Sequence, residues 1–151
     1  MLGSVERDLA HRALDTARSR GASYADVRFV RRSVEDALVK NGHLDSVDRS
    51  DIYGFSVRAI AEGAWGFAAS PILTAAEADR VAALAVEVAR ASAITKLHDA
   101  RLAAVKPVTA TYTTPIEIDP WAMRFEDRVQ LLVDADAAMR QIGRASWRER
   151  V

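Results

Sequence analysis

The sequence predicts an α/β (α+β) domain in two layers, an antiparallel β meander packed against helices. Three observations predict it. A 16-residue amphipathic segment opens the chain, short apolar/polar alternations punctuated by Asn41-Gly42 and Glu62-Gly63 follow, and an Ala-rich helical stretch comes next.

The first helix spans Ser4 to Ser19. Val5, Leu9, Ala13, Leu14 and Ala17 share one face, and Ser4 is the candidate N-cap. Gly21 follows Arg18 and Arg20, where a left-handed residue ends a helix. About five strands are expected between Tyr24 and Ala69. Val27 and Phe29 alternate with Arg28, Ala37 to Lys40 form a second strand, and Leu44 and Val47 mark a third. Phe55, Val57 and Ala59 mark a fourth, and Trp65, Phe67 and Ala69 a fifth. Asn-Gly favours a two-residue hairpin because both turn positions need positive φ. Gly66, between two aromatics, suits a close approach by another backbone. Trp65 and Phe67, same-face neighbours in an apolar strand, are expected in the core.

The next helix runs from Thr74 to about Ser92. Thr74 and Glu77 have capping-box spacing. The expected buried stripe is Ala78, Val81, Ala82, Ala85, Val88 and Ala89. Beyond it, Val108 to Tyr112 is extended between Pro107 and Pro115, and Asp119-Pro120 marks a turn. Trp121 and Phe125 lead into a last helix with Val129, Leu132, Val133 and Ala137 at helical spacing. The domain reading is therefore 1–104 for the N-terminal domain and 105–141 for the truncated start of a second. Residues 142–151, Ile-Gly-Arg-Ala-Ser-Trp-Arg-Glu-Arg-Val, read as a non-native, adapter-derived tail.

Charge and composition exclude several functions. Lys plus Arg is 21 and Asp plus Glu is 21, so no basic excess points to nucleic acid. Without the tail the balance is 18 to 20, a net of −2. No apolar run reaches the roughly 18 residues of a membrane span, and a cytoplasmic protein is expected. There is no Cys, which closes thiol chemistry and Cys-ligated metals. His11, His43 and His98 lie far apart in sequence and none precedes a Glu; each reads as a surface residue. Asp45, Asp48 and Asp51 lack the Gly and Glu of a calcium loop and read as a solvated strand face. Arg28, Arg31 and Arg32 read as the wet face of a strand. No Gly-rich phosphate loop or nucleophile elbow occurs.

The stretch Gly54-Phe55-Ser56-Val57-Arg58-Ala59-Ile60-Ala61-Glu62-Gly63-Ala64-Trp65-Gly66-Phe67-Ala68-Ala69-Ser70 resembles the N-terminal region of the TldD/PmbA metalloprotease family, also called modulators of DNA gyrase. Gly21 to Arg28, Lys40 to Leu44 and Leu73-Thr74 follow the family's order, and the Trp-Gly-Phe stretch is more similar to the TldD branch than to PmbA (TldE). The resemblance covers about residues 5 to 141. It implies a parent zinc metallopeptidase that processes unstructured peptides through a metal-bound water, with a TldD/TldE-type partner subunit in a homo- or heterodimer. It also implies that zinc sits in a C-terminal domain on a His-Glu-x-x-x-His helix with a Cys ligand. This sequence has no His-Glu pair and no Cys. No catalytic, cofactor-binding or metal residue is therefore carried over, and the chain alone is expected to bind no zinc and to be inactive. The alternative is a stand-alone, non-enzymatic protein-binding or assembly module.

Overall fold

The structure, a computed structural model, describes residues 3–148. Its elements are α1 (Ser4–Ser19), β1 (Tyr24–Lys40), β2 (His43–Ala61), β3 (Ala64–Ser70), α2 (Ala75–Ala93) and α3 (Phe125–Arg148). The strands form one three-stranded sheet in the order β1-β2-β3, with β2 and β3 antiparallel. The fold class is α+β, as the sequence predicts. The chain divides into two compact units. One holds the residues up to Arg32 with Asp51–Thr111, and the other holds Ser33–Ser50 with the residues from Tyr112 on.

In the first unit two helices cover one face of the sheet. α1 begins after Gly3, not Ser4, and its N-cap makes no side-chain hydrogen bond. Its end has the form the sequence predicts. Gly21 sits at φ +87°, its N–H reaches the Arg18 carbonyl at 2.9 Å, and the Ala22 N–H reaches Ala17 at 3.0 Å. That pair of bonds satisfies two carbonyls of the last turn. Leu9, Ala13 and Ala17, spaced by four, are buried, whereas Val5 in the first turn is exposed.

α2 is capped by Thr74, whose side chain accepts the Glu77 N–H at 3.3 Å. The reciprocal half of the capping box is replaced. The Glu77 carboxylate instead takes two hydrogen bonds from Arg80, at 2.6 and 2.8 Å. The buried stripe holds Val86, while Val88 stays partly exposed at the edge. Both lie near the stripe in the helical projection, and only packing separates them.

Nine of the fourteen core residues are Ala, and the largest fully buried side chains are Val57, Val81 and Val86. Small side chains let helix and sheet approach closely, so dispersion contacts replace bulk. Gly66 is the point of closest approach. A Cβ there would fall inside contact distance of the Ala85 carbonyl oxygen and the Ala89 nitrogen, and 2.9 Å from the Ala89 Cβ.

Register fixes which residues meet α2. Phe55 faces Ser70, Val57 faces Ala68, Ala59 faces Gly66 and Ala61 faces Ala64. These pairs point to the helices, and Phe29 stacks on Phe55 at 5.8 Å beneath them. Trp65 and Phe67 therefore point away, 40% and 57% exposed. This corrects their expected place in the core. Both faces of β3 are apolar, and the face with small side chains is the one an Ala-rich helix can cover.

Three strands replace the expected five. Arg31-Arg32-Ser33 and Asp48-Arg49-Ser50-Asp51 continue as strand instead of breaking it. Residues 43 to 52 are exposed throughout, so no face was buried enough to write alternation into the sequence. Both predicted turns form. Asn41 and Gly42 have φ 55° and 81°, and Glu62 and Gly63 have 52° and 75°.

In the second unit none of the described residues is buried. Asp119 makes the predicted turn, its Oδ1 accepting the Trp121 N–H at 2.9 Å. Glu35, on β1, sits 2.8 Å from Arg128 and 3.9 Å from Arg49, and the Trp121 ring lies under both guanidinium groups at 5.8 and 5.6 Å. Val108–Tyr112 forms no strand. The expected non-native tail falls partly on residues 149–151, outside the described residues; α3 reaches Arg148.

Candidate functional site

The open face of the sheet in the first unit, the side away from α1 and α2, is the candidate site. Alternation delivers its residues. Because Val57 and Ala59 point inward, Ser56 and Arg58 point outward, and because Gly66 and Ala68 point inward, Trp65 and Phe67 point outward.

A polar cluster occupies one end. Asp26 accepts Arg58 Nη2 at 2.6 Å and Arg58 Nε at 2.9 Å, and the Tyr24 hydroxyl donates to it at 3.2 Å. The Arg58 guanidinium lies 5.2 Å over the Trp65 ring, and Tyr24 meets Trp65 edge-on at 5.8 Å. Arg28 approaches Asp26 at 3.4 Å. Desolvation first, then the Asp26 charge, raises the Tyr24 hydroxyl pKa. The cluster fixes the orientation of Arg58 and Trp65.

An apolar groove of about 480 Å³ lies alongside. Gly54, Ser56 and Ala69 form a flat floor, and Val30, Ile52, Phe67 and Pro71 stand around it. Val30, Ile52 and Phe67 are more than half exposed. Such a patch is where monomeric proteins commonly meet partners. Tyr53 also borders the groove. Its hydroxyl donates to Glu6 at 2.8 Å, which lowers the Glu6 pKa, and Arg31 lies 5.3 Å over its ring.

A second polar site joins the helices. Arg12 donates to Asp79 Oδ2 through Nε at 2.9 Å and Nη2 at 2.6 Å, and Thr16 donates to Oδ1 at 2.7 Å. Arg12 first, then Thr16, lowers the Asp79 pKa. This arrangement ties α1 to α2 and leaves the carboxylate saturated.

Every residue weighed for metal chemistry lies on the surface. His11, His43 and His98 are exposed, on α1, at the start of β2 and after α2 respectively. Asp45, Asp48 and Asp51 are exposed on β2, where a spacing of three puts successive carboxylates on opposite sides. Among the described residues no group of three or more His, Cys, Asp or Glu could hold a metal ion. The donor set present does not fit zinc. Arg28, Arg31 and Arg32 are exposed or edge-on, and Arg28 takes part in the open-face cluster. The groove was not legible in the sequence; its one signal was the pair of large apolar residues flanking Gly66.

Fold and site together define a small α+β domain whose open sheet face carries an apolar groove beside a polar cluster. Residues 25–89 match the profile of the PmbA/TldA metallopeptidase domain 1, so this part of the chain is similar to that domain. The matched residues run from β1 to the end of the α2 stripe, the portion that carries the core and the groove. No curated protein matches the chain. No helix among the described residues is long and apolar enough to cross a membrane.

Proposed function

We propose that this chain is the N-terminal portion, first domain and start of the next, of a TldD-like metallopeptidase that degrades or processes unstructured peptides. Its part is architectural: it supports peptide handling and assembly with a TldD/TldE-type partner subunit, in the cytoplasm, and the zinc chemistry belongs to sequence outside it. The observation that carries this reading is the match of residues 25–89 to the family's first domain. The second unit adds support. α3 presents Leu131, Leu132 and Met139 to solvent at 59%, 41% and 64%, apolar surface suited to further chain. The same surface weighs against the reading as a stand-alone binding module.

The test is to sequence the source gene through the codon of Gln141 and onward. The proposal expects an open frame that continues into a His-Glu-x-x-x-His segment. A natural stop directly after Val151 would overturn it and leave the binding-module reading.

A further inference from the structure

The open-face groove is apolar inside and basic around its edge. On that face the strand residues of the first unit carry three Arg (Arg28, Arg32, Arg58) and one Asp (Asp26), a net of +2, whereas the whole chain is neutral. β3 contributes no charge, so the imbalance sits on β1 and β2. Arg58 is held by Asp26, while Arg28 is 60% exposed and only 3.4 Å from the same carboxylate, which cannot neutralise both. Arg32, exposed and on the Arg28–Val30 side of β1, stands at the groove's other margin, whereas Arg31 stacks on Tyr53 on the helix side.

We propose that this groove docks an acidic peptide segment through one bulky apolar side chain. The side chain enters between Val30, Ile52 and Phe67 over the Gly54–Ser56–Ala69 floor. The peptide's carboxylates meet Arg28 and Arg32, which share the Val30 side of β1, at the edge. A groove of about 480 Å³ has room for a Phe or Leu side chain and the backbone on either side of it. Its apolar lining supplies affinity, and the Arg edge supplies selection by charge. Single-stranded nucleic acid fits less well. It needs free aromatic faces for stacking, and Trp65 is engaged by Arg58 on a face and by Tyr24 edge-on. The inference is independent of the peptidase reading, because docking is measured on an uncut peptide.

Fluorescence anisotropy of the full chain tests it. The probes are a short labelled peptide alternating Glu and Ser around a central Phe-Leu, its counterpart with every Glu replaced by Lys, and an oligo-dT strand. The acidic peptide should bind, and rising salt should weaken it as edge charges are screened. Phe67→Asp and Arg28→Glu should each weaken it roughly tenfold or more, with the melting temperature checked to show that both still fold. Leu97→Asp, at a residue 91% exposed on the loop after α2, should change nothing. Equal binding of the Lys peptide, tighter binding of oligo-dT, or no binding of the acidic peptide at millimolar protein would each overturn the proposal. So would self-association of the wild type that Phe67→Asp abolishes, since a second copy would then be the occupant.

Discussion

Gly66 of β3 lies beneath Ala89 of α2 so closely that a Cβ on Gly66 would stand 2.9 Å from the Ala89 Cβ. The obstruction on the glycine side is mostly backbone, the Ala85 carbonyl and the Ala89 nitrogen, and backbone cannot rotate aside. Gly66→Ala should therefore lift the helix from the sheet and destabilise the domain by about 1–3 kcal/mol, the usual cost of overpacking. Urea unfolding followed by circular dichroism measures it. The neighbouring Phe67→Ala, on the open face, should cost under about 0.5 kcal/mol, as surface substitutions do. Equal losses from the two would contradict the assigned faces of β3.

Glu62 occupies a turn position at φ 52°, where a residue with a side chain is strained and Asn or Gly is favoured. Its carbonyl, which accepts Lys96 Nζ, is a backbone group that any residue keeps. Its carboxylate makes only a loose 3.6 Å pair with Arg90. Glu62→Asn should stabilise the hairpin by about 0.5–1 kcal/mol, a gain of the size found for relieved backbone strain. A higher urea midpoint with an unchanged slope is the expected result.

Thr74 holds the first turn of α2 through the Glu77 N–H. Thr74→Ala removes that acceptor and should cost about 1 kcal/mol, whereas Thr74→Ser should be nearly neutral. Thermal melts of the two variants separate loss of the cap from loss of the methyl group.

Arg80 first, then Ser70, lowers the Glu77 pKa from 4.5 to about 2. A folded-state pKa below the unfolded value means the carboxylate stabilises the fold at pH above about 4.5, and that contribution is lost as pH falls through 4.5 toward 2. Asp79, lowered by Arg12 and Thr16, acts with the same sign from its ordinary value of 3.8 downward. Wild type should thus exceed the Glu77→Gln variant in melting temperature at pH 6. The gap should narrow across the acid range and close near pH 2. A gap that persists unchanged to the lowest pH would show that the ion pair with Arg80 is not its source.

Some of this was readable directly. The Schellman end at Gly21, the turns at Asn41-Gly42 and Glu62-Gly63 and the cap at Thr74 depend on residues within a few positions of one another. Backbone stereochemistry and local hydrogen bonding act at that range, and the structure has all four. The solvated strand segments were not readable, because exposure on both sides removes the alternation by which a strand is recognised. Val86 and Val88 flank the α2 stripe on opposite sides, and which flank is buried was settled by what lay opposite.

The sequence by itself determined the helices, the turns, the α+β class and, through Gly54 to Ser70, the resemblance to a family's first domain. Tertiary structure alone decided which side of β3 is inside. Trp65 and Phe67 are the larger side chains and would gain more from burial. Yet α2 presents Ala78, Ala82, Ala85 and Ala89, and a helix so faced gains most contact by lying close. Only the Ala64–Gly66–Ala68 side of β3 permits that distance. The aromatics are left on the open face, and the groove exists because of it.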